Sequence, residues 1–144
     1  MNEELAKAVV DQFVETWNAH DVAGFAACFR EDSDFVNVLA ERAVGREAIA
    51  KMHEFPFKVV QAKATTYVQK LEFRELDSTL IALDFWWKVV GSQTPKGDPL
   101  PDRYGLIYFV IEVQDGEALI VSGRNMDFTN SYGGEAGGSQ TVGR

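Results

Sequence analysis

The sequence predicts an α+β fold, with helices in the first part of the chain and a mostly antiparallel sheet in the rest. Three observations carry that expectation. Leu5, Ala8, Val9, Phe13, Val14 and Trp17 recur at helical spacing. From Thr65 the period changes to two, with Thr65, Tyr67, Gln69, Leu71 and Phe73 alternating against Thr66, Val68, Lys70 and Glu72. Turn residues at Asp77-Ser78 and Asp115-Gly116 then fold successive strands back on one another, as antiparallel neighbours require.

Taken in order, the first helix sets Phe13 and Trp17, four residues apart, on one face. Asn18 to Asp21 interrupts the pattern, and Asp21 is placed to cap a second helix running through Phe29. After an acidic break at Glu31-Asp32, the run DFVNV carries Phe35 and Asn37 on one side of a strand and Val36 and Val38 on the other. A helix face and a strand face can therefore enclose a space. Gly45 opens a third helix, on which Ile49, Met52 and His53 share a face and which Pro56 is expected to end. In TLIALDFWWKVV one side (Ile81, Leu83, Phe85, Trp87, Val89) is wholly apolar, and the other (Ala82, Asp84, Trp86, Lys88) mixes charge with a large aromatic. The segment Gly91 to Asp102 holds three of the four prolines, which makes it a projecting loop placed to lie over a pocket mouth. RYGLIYFVIEV and ALIVSGRNMDF form the last hairpin. Residues 133–144 have too little apolar content to bury, so the expected organisation is one domain over 1–132 and a flexible tail.

At 144 residues, 46% hydrophobic, the chain can bury a core as a single domain. It has no run of about 18 apolar residues to span a membrane, and its N-terminus lacks the basic region of a secretory signal. A cytoplasmic protein is expected. Fourteen basic against 22 acidic residues give a net charge of −8, which disfavours nucleic acid and anionic lipid as partners. Cys28, the lone cysteine, reads as a small core residue. No nucleotide-binding loop, Cys/His metal spacing or Gly-x-Ser-x-Gly elbow is present, so neither metal nor cofactor is expected.

The succession of a helix, W-N-A-H-D, a second helix ending in C-F, the strand D-F-V-N-V and G-R-E-A-I-A opening a third helix resembles the nuclear-transport-factor-2-like superfamily over residues from roughly 4 to 130. The resemblance is nearest to its polyketide-cyclase-like and SgcJ/EcaC-type branch. It implies a cystatin-like cone, with three N-terminal helices wrapped against a curved, mostly antiparallel sheet and a pocket between them. It also implies a small-molecule-binding protein, with isomerase, cyclase, dehydratase or hydrolase-like chemistry among the reactions open to it. The same superfamily includes non-catalytic association domains, such as that of calmodulin-dependent kinase, and this second reading stays open.

Ketosteroid isomerases, which share the resemblance, carry a tyrosine donor and two aspartates at positions that match Phe13, Asn37 and the neighbourhood of Phe109. None of the three can do the work of the residue it replaces. A pocket with apolar walls and a few polar groups is what remains. Its expected ligand-binding residues are Phe13, Trp17, Asn37, His53, Trp87, Arg103, Phe109 and Arg124. Two arginines there would favour a carboxylate-bearing ligand. The alternatives are that Arg103 caps the loop beside Asp102, that Arg124 pairs with an acid such as Asp34, that Asn37 satisfies backbone groups at the strand end, and that His53 is a buried structural histidine. His20 reads as an exposed or capping residue. On the other sheet face Trp86, Tyr104 and Tyr108 need a cover, which predicts a homodimer through that face.

Overall fold

The structure is a computed structural model and describes residues 2–129. Its elements are α1 (Asn2–Asn18), α2 (Val22–Ala26), β1 (Phe29–Val36), β2 (Arg42–Val44), α3 (Arg46–Lys58), β3 (Thr65–Glu75), β4 (Leu80–Val90), β5 (Arg103–Gln114) and β6 (Glu117–Asp127). The six strands form one sheet in the order β2-β1-β6-β5-β4-β3. Every pairing is antiparallel except β1 with β6, which is parallel and brings the start of the sheet beside its end. Register shifts in β1, β3 and β6 bend the strands, and the sheet is curved and unclosed. The expected tail at 133–144 lies outside the described residues.

Local chemistry accounts for most boundaries. Asp21 accepts a hydrogen bond from Gly24 N at 3.0 Å and starts α2, which is only five residues long. The chain then turns into β1 at Phe29, earlier than the acidic break suggests. Glu31 and Asp32 lie inside the strand, in an irregular stretch between the pairs Phe29↔Ile120 and Asp34↔Ser122. There Arg30 pairs with Asp32 and with Glu112, so the excursion stays solvated and charge-matched. Pro56 does not end α3. Phe57 buries its ring at 5.1 Å from Trp17 and 5.2 Å from Phe25, which carries the helix past the bond proline cannot donate. At the last hairpin Asp115 and Gly116 have φ of +53° and +77°, the pair of positive values that a tight two-residue connection requires.

The core lies between the helices and one face of the sheet. Phe13 is its centre: its ring is 4.8 Å from Phe25, 5.2 Å from Phe109 and 6.2 Å from both Phe29 and Phe85. Truncating such a ring to alanine costs about 3–5 kcal/mol. The C-terminal end of α1 is pinned to the sheet, because Asn18 accepts from Thr66 N at 2.7 Å and donates to Thr66 O at 3.0 Å. His20, with a left-handed φ of +58°, donates from Nε2 to Gln61 O at 2.6 Å and ties the α1–α2 turn to the connection after α3. That bond makes it a half-buried structural tie.

Candidate functional site

Between α1, α3 and the sheet the packing opens into a cavity of about 430 Å³. Phe13 and Trp17 enter from α1, Met52, His53 and Pro56 from α3, and Phe35 from β1. Phe85, Trp87 and Val89 of β4, Arg103 and Ile107 of β5 and Asn125 of β6 form the sheet wall. The loop after β4 closes one side through Gln93, Thr94, Pro95 and Leu100, as its length and proline content led us to expect. It is strapped down: Gln93 N donates to Val60 O at 3.0 Å, Gln93 Nε2 to Val59 O at 2.9 Å, and Ser92 Oγ to Gln61 Oε1 at 2.9 Å. Val38, Leu39 and Phe55, all exposed, form an apolar rim.

Six of the eight expected site residues meet here: Phe13, Trp17, Asn37, His53, Trp87 and Arg103. Asn37 stands at the rim with its amide already used. Its Oδ1 accepts from Leu39 N and Glu41 N at 3.0 Å each, and its Nδ2 donates to Glu41 Oε1 at 2.9 Å, which fixes the turn into β2. Trp87 lies across Gly105, where any Cβ would collide with the indole, and its Nε1 donates to Asn125 Oδ1 at 2.8 Å. Arg103 donates from Nε and Nη2 to Asp127 Oδ2 at 2.9 and 2.7 Å and stands 5.9 Å from the Trp87 ring. Burial alone would raise the Asp127 carboxyl, but hydrogen bonds from Thr129 and then from Arg103 outweigh it and hold the group below its usual range. The guanidinium therefore reaches the cavity as half of a neutral pair, with Asp127 as its partner in place of Asp102.

Phe109 and Arg124 are corrections. Phe109 is fully buried beneath Phe13 and belongs to the core under the cavity, not to its wall. Arg124 is on the opposite face of the sheet. The pairs Ile111↔Ile120 and Val110↔Ser122 leave Val121 as an extra residue in β6, and one extra residue exchanges the faces of everything after it. Ile120 and Gly123 consequently face the core, while Ser122 and Arg124 face away. Arg124 donates to Asp34 at 3.0 and 3.2 Å, as its alternative reading held. Arg124, then Ser122 and Arg42, hold the Asp34 carboxyl well below the usual carboxylate range against the effect of burial.

His53 is 3% exposed and stacked among rings, 4.5 Å from Phe25, 5.4 Å from Phe35 and 5.7 Å from Trp17. Burial lowers its pKa to about 4, and the bond from Nδ1 to Ile49 O at 2.8 Å only partly offsets this. Sequence reasoning missed Asn125, Thr66 and Gln61 on the cavity wall. Thr66 Oγ1 and Trp17 Nε1 are buried without a hydrogen-bond partner. Ser-Gly within the β6 run is the one local signal of a bulge that could have moved Asn125 inward and Arg124 outward. Cys28 is buried outside the cavity, its thiol pushed up by burial to about 12 and therefore inert. Among the described residues no group of His, Cys, Asp and Glu is arranged to hold a metal ion.

A curved sheet covered by helices on one face and enclosing an apolar cavity with a few inward polar groups is an α+β cone of the cystatin-like class. The chain belongs to the SnoaL-like domain family, part of the nuclear-transport-factor-2-like superfamily, whose model matches residues 10–121. An uncharacterised protein with a cystatin-like fold from Caulobacter vibrioides is 19% identical, with a TM-score of 0.80 over 88% of this chain and 89% of that one. A protein from Novosphingobium aromaticivorans provisionally described as a scytalone dehydratase is 15% identical, with a TM-score of 0.74 over 87% and 83% of the two chains. A protein from Xanthomonas campestris, provisionally described as a calcium/calmodulin-dependent protein kinase II association domain, is 21% identical, with a TM-score of 0.65 over 82% and 84%. These likenesses establish the fold, which carries both kinds of protein. No curated protein matches the chain.

Proposed function

We propose that this protein binds a small, uncharged, largely apolar molecule in the cavity between α1, α3 and the sheet. The observation that carries the reading is the character of the wall. Aromatic and aliphatic side chains dominate it, no carboxylate lines it among the described residues, and its one guanidinium is already neutralised by Asp127. Its volume of about 430 Å³ falls in the range of small-molecule sites. The carboxylate-bearing ligand expected from two inward arginines loses its support, since Arg124 is outside and Arg103 is paired. Any proton transfer here would fall to His53, the one ionisable group on the described wall without a charged partner.

A thermal-shift screen of neutral aromatics against matched carboxylates tests this. A neutral compound held at 100 times its dissociation constant stabilises the fold by about 2.7 kcal/mol. No shift with any neutral compound, or a consistent preference for carboxylates, would overturn the reading.

We further propose that a second copy of the chain covers the outer sheet face. Trp86 is 7% exposed in the single chain, with Lys70 Nζ 5.0 Å from its ring, and Tyr104 is half-buried beneath Lys88, so these two need no further cover. Tyr108 at 38% and Met126 at 51% exposure carry the argument, as large apolar side chains left open on that face. Light scattering of the native chain and of Tyr108→Asp decides: a monomer in both sinks the dimer. An association module would give the dimer without a ligand-dependent shift.

A further inference from the structure

We propose that His53 Nε2 is the cavity's hydrogen-bond acceptor and selects a neutral ligand bearing a hydroxyl group, an alcohol or a phenol. The inference rests on the binding reading above and names the polar end of its ligand. The proton on the ring is located by geometry. Nδ1 lies 2.8 Å from Ile49 O, and a carbonyl oxygen can only accept, so Nδ1 holds the hydrogen. In the neutral ring the lone pair is then on Nε2, which has no protein partner among the described residues. The ring sits on the cavity wall, clamped by Phe25, Phe35, Phe57 and Trp17. A second unmet group adjoins it: Trp17 Nε1 is a buried donor without a partner, on an indole whose centroid is 5.7 Å from that of His53.

An unmet acceptor on an apolar wall selects by simple exclusion. A carboxylate has no hydrogen to give Nε2 and brings a charge that the wall does not match. A ketone or an ether has no hydrogen to give and leaves the Nε2 lone pair unmet. An ammonium would be buried without a counter-charge. A hydroxyl donates to Nε2 and carries no charge into an apolar space.

The test uses the full chain near neutral pH with three probes of one shape: 4-bromophenol, 4-bromoanisole and 4-bromobenzoate. NMR titration gives the affinities, and anomalous scattering from bromine in soaked crystals locates the ring. The phenol is expected to bind about tenfold tighter than the anisole, one good hydrogen bond's worth, with its oxygen on Nε2. In His53→Phe, which keeps an aromatic ring in an aromatic nest, the two should come within about twofold of each other. Equal binding of phenol and anisole by the native chain overturns the inference and leaves the apolar pocket standing. A phenol preference that survives His53→Phe also overturns it. Absence of binding by both neutral probes, or tighter binding of the benzoate, overturns the inference and the pocket reading together.

Discussion

Lowering the pH should weaken the fold through His53 before it touches the paired carboxylates. The ordinary imidazole value of 6.5 applies in the unfolded chain, and burial brings it to about 4 in the folded one. Between those values the unfolded state binds a proton that the folded state refuses, so stability falls as pH drops through this window and is flat above it. From pH 7 to pH 4.5 that difference in proton binding gives a loss of about 2 kcal/mol, a large share of a small domain's stability. Asp84 works in the opposite direction, since burial and then the nearby Glu72 raise its carboxyl and favour the folded state as pH falls. The His53 contribution is accordingly read as the difference between the native chain and His53→Phe, from urea unfolding at both pH values. The variant leaves the Ile49 carbonyl in its helix and replaces one ring by another among Phe25, Phe35 and Phe57. It should lose about 2 kcal/mol less than the native chain on acidification. Parallel losses in both proteins would refute the claim that this histidine is held neutral by burial. Asp34, depressed by its arginines, keeps its stabilising pairs across this window and loses them only below the ordinary aspartate range.

Three further outcomes follow from the geometry. No isomerisation of a 5-ene-3-ketosteroid should be measurable, because Phe13 offers no hydroxyl and the Asn37 amide is tied into the turn at Leu39 and Glu41; turnover abolished by Asn37→Ala would contradict this. Gly105→Ala should destabilise the fold by about 1–3 kcal/mol in chemical denaturation, since its methyl would occupy the space of the Trp87 indole and the Met126 carbonyl; an unchanged midpoint would mean that Trp87 moves freely. Asp127→Asn should leave Arg103 unmatched on the cavity wall and raise the affinity for 4-bromobenzoate several-fold in low salt, with the gain shrinking as salt is added; no gain would show that the guanidinium does not reach the ligand.

The fold was legible because its determinants are local. Helical spacing through Trp17, strand alternation after Thr65 and the Asp-Gly turn each act over a few residues, and each appears where expected. The boundaries that moved were decided by tertiary contacts. Pro56 ends a helix in isolation, but Phe57 anchored against Trp17 and Phe25 carries it further. The acidic pair Glu31-Asp32 reads as a break, but Arg30 holds it within a strand.

The site was legible where side chains follow element periodicity and not where periodicity slips. Phe13, Trp17 and His53 needed only a helix face, and Trp87 and Arg103 only strands in regular register, so all five reach the cavity. Arg124 required counting across β6, and the single extra residue at Val121 sent it outward and left Asn125 to take the inward place. That slip changes the chemistry of the pocket. With Arg124 inward, two guanidinium groups would stand on adjacent strands with one carboxylate, Asp127, to offset them, and an anion would be the fitting guest. With Arg124 bound to Asp34 on the far face, the cavity keeps a neutral ion pair, a neutral imidazole and unmet hydrogen-bonding groups at Trp17 and Thr66. On the proposed reading, a bulge of one residue exchanges an anion site for a site that selects by hydrogen bonds alone, which is why the matched phenol, anisole and benzoate discriminate more sharply than any survey of unrelated compounds.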